Sequence, residues 1–309
     1  MLRIVVLGAA AGGGVPQWNC GCEVCLMARG AHPELGRTQA SIAFSNDGDH
    51  WFLVNASPDL RQQLIATPQL HPKADQLRHT PIAGVILTNG EIDAVAGLLS
   101  MREGSPFTVY AHPKVLAILK ANSIFDVLNA KNVKRQGIEI DRPFEPALPD
   151  GSPSGIEVLP FTVPGKGAWY LEGKSHPGGN SGAGDTLGLR VSDRASGKSF
   201  FVVAACAEAT SDLKARLAGA ALVFFDGTVW RDDELIVKGL ASKTGQAMGH
   251  IAMSGKAGAI EQLAGLDIDR KIFLHINNSN PALLSASTER RIAEAAGWQI
   301  PADGTEIVL

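Results

Sequence analysis

An α/β protein with mixed sheets arranged in layers is the fold class the sequence predicts. Three observations carry this. Short apolar runs of strand length recur along the chain, from Leu2-Arg3-Ile4-Val5-Val6-Leu7 at the start to residues 305–309 at the end. Two or three of these runs often follow one another before a helical pattern, so the order is not a regular βαβ alternation. The 34 glycines and 17 prolines supply many loops, as suits active-site segments hung from a scaffold of strands.

In chain order, the runs at 41–45 and 50–55 flank Asn46-Asp47-Gly48-Asp49 and read as a hairpin. Residues 82–88 read as a buried strand. Further strands are expected at 107–111, 155–163, 186–191, 199–205, 221–226 and 271–275. Helical patterns fall at 58–66, 91–102, 113–129, 211–218, 257–266 and 288–297; Pro58 suits a helix start. The glycine-rich stretch 164–185 lacks periodicity and reads as a lid or binding loop. Without a repeat, a low-complexity linker or a charge block to divide it, the chain is read as one domain over residues 1–309.

Bulk properties narrow the partners. The net charge of −3 offers no basic field for nucleic acid or anionic lipid. Hydrophobic residues make up 45% of the chain, enough for an ordinary core. The apolar stretches at 201–207 and 220–225 are too short to span a bilayer, so no membrane insertion is expected. The opening residues enter a strand at once and lack the parts of a secretory signal. A cytoplasmic protein is the expectation.

Three of the four cysteines, Cys20, Cys22 and Cys25, form C-x-C-x-x-C. Thiolates this crowded repel one another unless a cation holds them, and tetrahedral Zn²⁺ is the usual one. The fourth donor must come from elsewhere, which staples this loop to a distant part of the fold. A disulfide between such close neighbours would be strained, and the spacing matches neither ferredoxin run. The neighbouring Gly8–Gly14 segment lacks the G-x-G-x-x-G spacing and reads as a flexible turn leading to the cysteines.

Other polar groups stand at strand ends, where ligands collect. Thr88-Asn89-Gly90-Glu91-Ile92-Asp93 places two acids in a first helical turn; the competing reading makes Asn89 a cap and the acids dipole partners. In Asn55-Ala56-Ser57-Pro58-Asp59, a cap at Ser57 is the favoured reading. His250 follows a glycine. His275 ends a very apolar strand, where a lone histidine is more often a core residue. The amides Asn277 and Asn278 directly after it favour a site instead, because a ligating histidine needs oriented partners. His112 and His176 read as surface residues.

Taken in order, these segments resemble the metallo-β-lactamase superfamily. Its slots fall here at Asn55, at Asn89-x-Glu91-x-Asp93-Ala94, at the Val163-Pro164-Gly165-Lys166 region, at the Cys206 region and at His275. The cysteine cluster resembles the structural zinc site of its phosphodiesterase-like branch. Longer strings, among them VPQWNCGCEVC, NASPDLRQQL, LTNGEID, LVFFDGTVWRDDE, MGHIAMSG and KIFLHINNSNP, resemble the coenzyme PQQ synthesis protein B family. The resemblance covers essentially the whole chain. It implies a metallo-β-lactamase-like αββα sandwich of two mixed sheets with helices outside. It also implies a place in the conversion of a Glu–Tyr pair into pyrroloquinoline quinone (PQQ). Members are described as iron-dependent oxygenases acting on the tyrosine-derived ring, and also as carriers of PQQ or its precursor to the periplasm.

The departures from the superfamily pattern have chemical consequences. Asn89 and Glu91 replace two histidines, Ala94 replaces a third and can ligate nothing, and Val163-Pro164 offers no imidazole. A dinuclear hydrolytic centre is therefore not expected. Asp93 and His275, with Glu91 or His250, remain as candidate catalytic residues and Fe²⁺ ligands, a donor set suited to mononuclear iron and O₂. For the fourth zinc donor, Asn278 has the position and Cys206 the better chemistry. The expectation is thus an Fe²⁺-dependent hydroxylase with structural Zn²⁺. Its substrate would be a small molecule or dipeptide of the PQQ pathway, and other pathway proteins its partners. A carrier and a degenerate metal-dependent hydrolase are the rival readings.

Overall fold

A computed structural model of the chain describes residues 1–173 and 182–309. Two mixed sheets form its centre. The first has seven strands in the order β13-β1-β2-β3-β4-β5-β6. These are β1 (Arg3–Gly8), β2 (Ser41–Ser45), β3 (Trp51–Val54), β4 (Ile82–Leu87), β5 (Phe107–Ala111), β6 (Val133–Gly137) and β13 (Thr305–Val308). The second has six, in the order β12-β11-β10-β9-β8-β7. They are β7 (Ile156–Thr162), β8 (Leu187–Asp193), β9 (Ser199–Val203), β10 (Val223–Asp226), β11 (Lys271–Leu274) and β12 (Trp298–Gln299). Each sheet is antiparallel on one side and parallel on the other: β3 to β6 and β9 to β12 run parallel.

Side-chain alternation explains the layering. Along β2, Ile42 and Phe44 face the second sheet while Ala43 faces outward. Phe44 meets Phe200 edge-on at 5.6 Å, and Phe200 meets Phe224 at 6.1 Å, so aromatic rings join the two inner faces. The outer face of the first sheet packs on α2 (Leu60–Ala66), α3 (Ile92–Val95) and α4 (Pro113–Ala121) through Leu60, Val95, Val115 and Leu119. The second sheet carries α1 (Glu23–Arg29), α5 (Ser211–Leu217), α7 (Ala259–Gln262) and α8 (Thr288–Ala295) on its outer face. The helix α6 (Glu234–Val237) follows β10. This is the αββα order. The central strands, buried on both faces, read as the unbroken apolar runs IAGVIL and VFFD.

The helices differ most from expectation. The pattern at 91–102 is one turn of α3 followed by a 3₁₀ segment, Ala96–Met101. The pattern at 113–129 breaks at Asn122, and that at 257–266 shrinks to α7 between Gly258 and Gly265. The helix expected from Pro58 starts at Leu60, and Ser57 does not cap it; its hydroxyl donates to Gln63 Oε1 at 3.1 Å. His112 is a helix cap: its Nδ1 accepts the Lys114 N–H at 3.3 Å. His176 and the middle of the 164–185 loop lie outside the described residues. Among the described residues no helix is long and apolar enough to cross a membrane.

Candidate active site and thiol cluster

The carboxyl ends of β4, β10 and β11 open on one cavity of about 660 Å³, lined by Glu91, Asp93, His250 and His275 among others. Local hydrogen bonding sets these ends. The Thr88 N–H donates to Asn55 Oδ1 and Asn55 Nδ2 donates to Thr88 Oγ1, both at 2.9 Å. The Thr88 carbonyl accepts the Leu187 N–H at 2.8 Å, so the two sheets are joined here. Asn89 Oδ1 accepts the Glu91 N–H at 3.0 Å, closing the turn that places Asp93 in the first turn of α3. Asn55 and His275 have φ of 63° and 59°, a left-handed conformation that bulky residues seldom adopt. Such conformations cluster where surrounding structure holds a functional side chain in place.

His275 Nε2 lies 2.8 Å from Asp93 Oδ2, joining a residue of one sheet's edge to a residue of the other's. Burial alone would push His275 down in pKa; its hydrogen bond and charge contact with Asp93 outweigh this and raise it. Burial likewise opposes ionisation of Asp93, but the His275 bond and the nearby His250 hold it below the usual carboxylate range. The pair is therefore strongly polarised. Two donors each about 2.1 Å from one metal and at right angles lie about 3 Å apart, so this spacing fits adjacent ligands.

Thr228 and Asp226 orient both rings. Asp226 is fully buried and accepts four hydrogen bonds. Its Oδ1 accepts from Thr228 N at 3.0 Å and Oγ1 at 2.7 Å, and its Oδ2 from Cys206 N at 2.9 Å and His250 Nδ1 at 2.8 Å. Thr228 Oγ1 also lies 2.8 Å from His275 Nδ1. A hydroxyl that gives its one proton to Asp226 can accept an N–H from a ring. With Nδ1 engaged on each histidine, Nε2 is the ring nitrogen that a metal would take, on His275 in place of its hydrogen bond to Asp93, and the two rings stack 5.0 Å apart. Asp226, His250 and His275 form a compact donor group, but the Asp226 oxygens are occupied. It acts as the carboxylate behind a histidine, the arrangement that fixes ring tautomers at metal sites.

Glu91 stands beside Asp93. Burial, with the charge of Asp93, pushes its carboxyl up to about 7, even though Oε1 accepts the Trp169 N–H at 2.8 Å. That bond and the Tyr170 hydroxyl, which donates to the Gly90 carbonyl at 2.9 Å, dock the 3₁₀ turn Trp169–Leu171 beside the cavity. At the mouth, Glu172 bridges Lys166 and Lys243, with 2.8 Å to Lys243. The two lysines hold its carboxyl down at about 2. Gly12 passes so close that a β-carbon there would stand 3.5 Å from Asp93 Oδ2.

Cys20, Cys22 and Cys25 bring their sulfurs within 4.8 Å of one another. Three thiolates about 2.3 Å from a tetrahedral cation lie about 3.8 Å apart, so the group fits zinc. Burial pushes the Cys22 thiol up to about 11, the charge cost that a cation would remove. Of the two expected fourth donors, Asn278 is the one at this cluster. Its Nδ2 donates to Cys25 Sγ at 3.3 Å and Cys22 Sγ at 3.6 Å, so it meets the thiols as a hydrogen-bond donor, and ligation would need the amide oxygen instead. Cys206 is elsewhere: its backbone N–H donates to Asp226 and its thiol to the Glu208 carbonyl at 3.1 Å. Burial and the Asp226 charge push that thiol up to about 12.

The structure thus brings Glu91, Asp93, His250 and His275 to one cavity and keeps Cys206 out of the thiol cluster. Asp226 and Thr228 escape the sequence reading. The signal for Asp226 is an acid ending the apolar run Leu222–Phe225, the same strand-end logic that singles out His275. The Gly8–Gly14 turn, read only as a connector, reaches the cavity wall.

These features define a protein of the β-lactamase superfamily, and the chain matches the model of the Beta-lactamase superfamily domain over residues 50–276. Within it, the chain belongs to the coenzyme PQQ synthesis protein B family. The family member from Bradyrhizobium diazoefficiens is 76% identical over 309 residues, 100% of both chains. That from Gluconacetobacter diazotrophicus is 52% identical over 308 residues, 99% of each. The crystal structure of Zn²⁺-bound PqqB from Methylobacterium extorquens superimposes with a TM-score of 0.92 at 48% identity, covering 99% of this chain and 100% of that one. A diphosphatase of the PhnP family shares the fold, with a TM-score of 0.66 at 18% identity over 99% of this chain and 96% of that one.

Proposed function

We propose that this chain works in PQQ biosynthesis as an iron- and O₂-dependent hydroxylase of a tyrosine-derived Glu–Tyr intermediate. The names of its relatives support the pathway. The observation that carries the chemistry is the Asp93–His275 contact at 2.8 Å, with both histidines held through Nδ1. Asp93, His275 and His250 would hold Fe²⁺. Two histidines and one carboxylate leave positions open for other ligands, the pattern of mononuclear non-haem iron oxygenases. Bound iron supplies the one-electron chemistry that lets O₂ react with a phenol. One oxygen atom would enter the ring and the other would leave as water, with two electrons and two protons supplied by a reducing co-substrate.

The chain's own residues do the rest. Glu91, which lines the cavity beside Asp93 and whose carboxyl burial raises, would take the phenolic proton. The Trp169–Leu171 turn stands beside the cavity, and Trp169 would pack against the substrate ring. Ala94 and the missing histidines support one metal here rather than two. The thiol group, with Asn278 beside it, would hold a structural Zn²⁺, and the Zn²⁺-bound relative supports a metal-holding chain. A reducing cytoplasm suits three unpaired thiols.

The test uses Asp93→Ala and His275→Ala, checked for folding by circular dichroism. Both are expected to lose iron, O₂ consumption and hydroxylated product together. Folded variants that consume oxygen at the parent rate would place the iron elsewhere. Product formed without O₂ would favour a hydrolase, and tight binding of PQQ without turnover a carrier.

A further inference from the structure

We infer that Lys166 and Lys243 form a carboxylate clamp that selects and orients an anionic aromatic substrate, with Glu172 holding the clamp until a ligand carboxylate replaces it. The inference rests on the proposed function for the identity of the aromatic group, but its geometry is independent of any metal.

Both signs of charge line the cavity: Glu91 and Asp93 with His275, and also Lys166 and Lys243. A ligand carboxylate is attracted to the two lysines, which would anchor one end of the molecule. Trp169 lines the same cavity and is 62% exposed, offering an aromatic face to a ligand. The volume of about 660 Å³ suits a dipeptide-sized ligand.

Glu172 shows that the two ammonium groups can grip one carboxylate together: one oxygen meets Lys166 and the other Lys243. Glu172 and Lys243 are 44% and 50% exposed. Ion pairs this open contribute little net stability, so exchanging one carboxylate for another costs little. Charge-assisted bonds of this kind are nonetheless stronger than neutral ones, so an amide is a poor substitute. The substrate class is therefore a small aromatic acid with at least one carboxylate remote from the ring.

The experiment measures equilibrium binding by calorimetry to the purified full chain, with oxygen excluded so that no turnover intervenes. The probes are L-glutamyl-L-tyrosine and the same dipeptide with both carboxyls amidated. The diacid should bind about tenfold or more tightly than the diamide. Lys166→Met and Lys243→Met should each remove most of that preference without changing diamide affinity. Glu172→Gln should tighten the diacid several-fold, an opposite change that misfolding cannot mimic. Equal affinities for the two probes, preference surviving in both lysine variants, or weaker diacid binding in Glu172→Gln would each overturn the clamp. Lysine-dependent selectivity in a protein that never consumes O₂ would sink the hydroxylase reading and leave the clamp standing. Equal affinities beside normal O₂ uptake would do the reverse.

Discussion

A single hydroxyl, that of Thr228, lies within hydrogen-bonding distance of Asp226, His250 and His275. Thr228→Val keeps the shape and removes those bonds, leaving a buried carboxylate oxygen short of a donor. We expect a stability loss of about 1–3 kcal/mol by urea denaturation. Iron affinity should fall about 10–100-fold, because the rings lose their orientation. A variant unchanged in both would make the hydroxyl a bystander. Asp303 supplies a pH test. Its Oδ1 is buried without a partner, and burial raises its carboxyl above the ordinary value although Thr38 donates to Oδ2. The folded state then holds the proton more tightly than the unfolded one. Stability should fall as pH rises from the ordinary carboxylate value through the raised one, and stay level above it. Asp303→Asn should lack that fall and be no less stable than the parent at neutral pH. Melting curves of both proteins between acid and neutral pH check this. At this scale the sequence exposes residues whose neighbours advertise them, such as the cysteine run. Thr228 carries no local signal, since the rings it meets, His250 and His275, lie 22 and 47 positions later.

Elements place these residues, and α3 is the most tightly constrained. Ala56 donates its N–H to the Ala94 carbonyl at 2.7 Å, and Gly97 donates to the Ala56 carbonyl at 2.9 Å. A β-carbon on Gly97 would sit 2.1 Å from the Ser57 carbonyl oxygen, so nothing larger than glycine fits. Gly97→Ala must push the Asp93 turn away from the end of β3. The expected cost is about 1–3 kcal/mol, seen as a lower urea midpoint, with weaker metal binding. An unchanged midpoint would show that the backbone yields freely. Strands with unbroken apolar runs, such as β4 and β10, are legible because both faces are buried. β6, reading VKRQG, is not: it is an edge strand with mostly exposed side chains, and its pattern looks like a loop. The helix α1 is hidden because it begins directly after Cys22, inside a segment whose chemistry suggests a loop.

At the scale of the molecule, the layered α/β class follows from the sequence pattern alone, whereas the αββα order rests on the family resemblance. Periodicity gives each strand's faces but not its neighbours; β1 pairs with β13 from the far end of the chain, which no local pattern announces. The same distance problem applies to the thiols. Their spacing announces a metal site, but the residue that meets them, Asn278, lies more than 250 positions later.

His275 and Asn278 share one short loop after β11, gripped at one point by the cavity and at the other by the thiols. Two metals on this loop would not bind independently. If zinc fills the thiol site and iron the cavity, whatever order one metal gives the shared loop favours the other, and thermodynamic reciprocity makes the two effects equal. Cys22→Ser should therefore lose one zinc equivalent and melt earlier. It should also bind iron more weakly, by about fivefold or more, although no iron ligand is altered. Competition with a chromophoric chelator reads zinc affinity with and without Fe²⁺. Equal zinc affinities would show two unlinked sites; a matched shift would mean that the order in which the cell supplies its metals governs how much active protein it obtains.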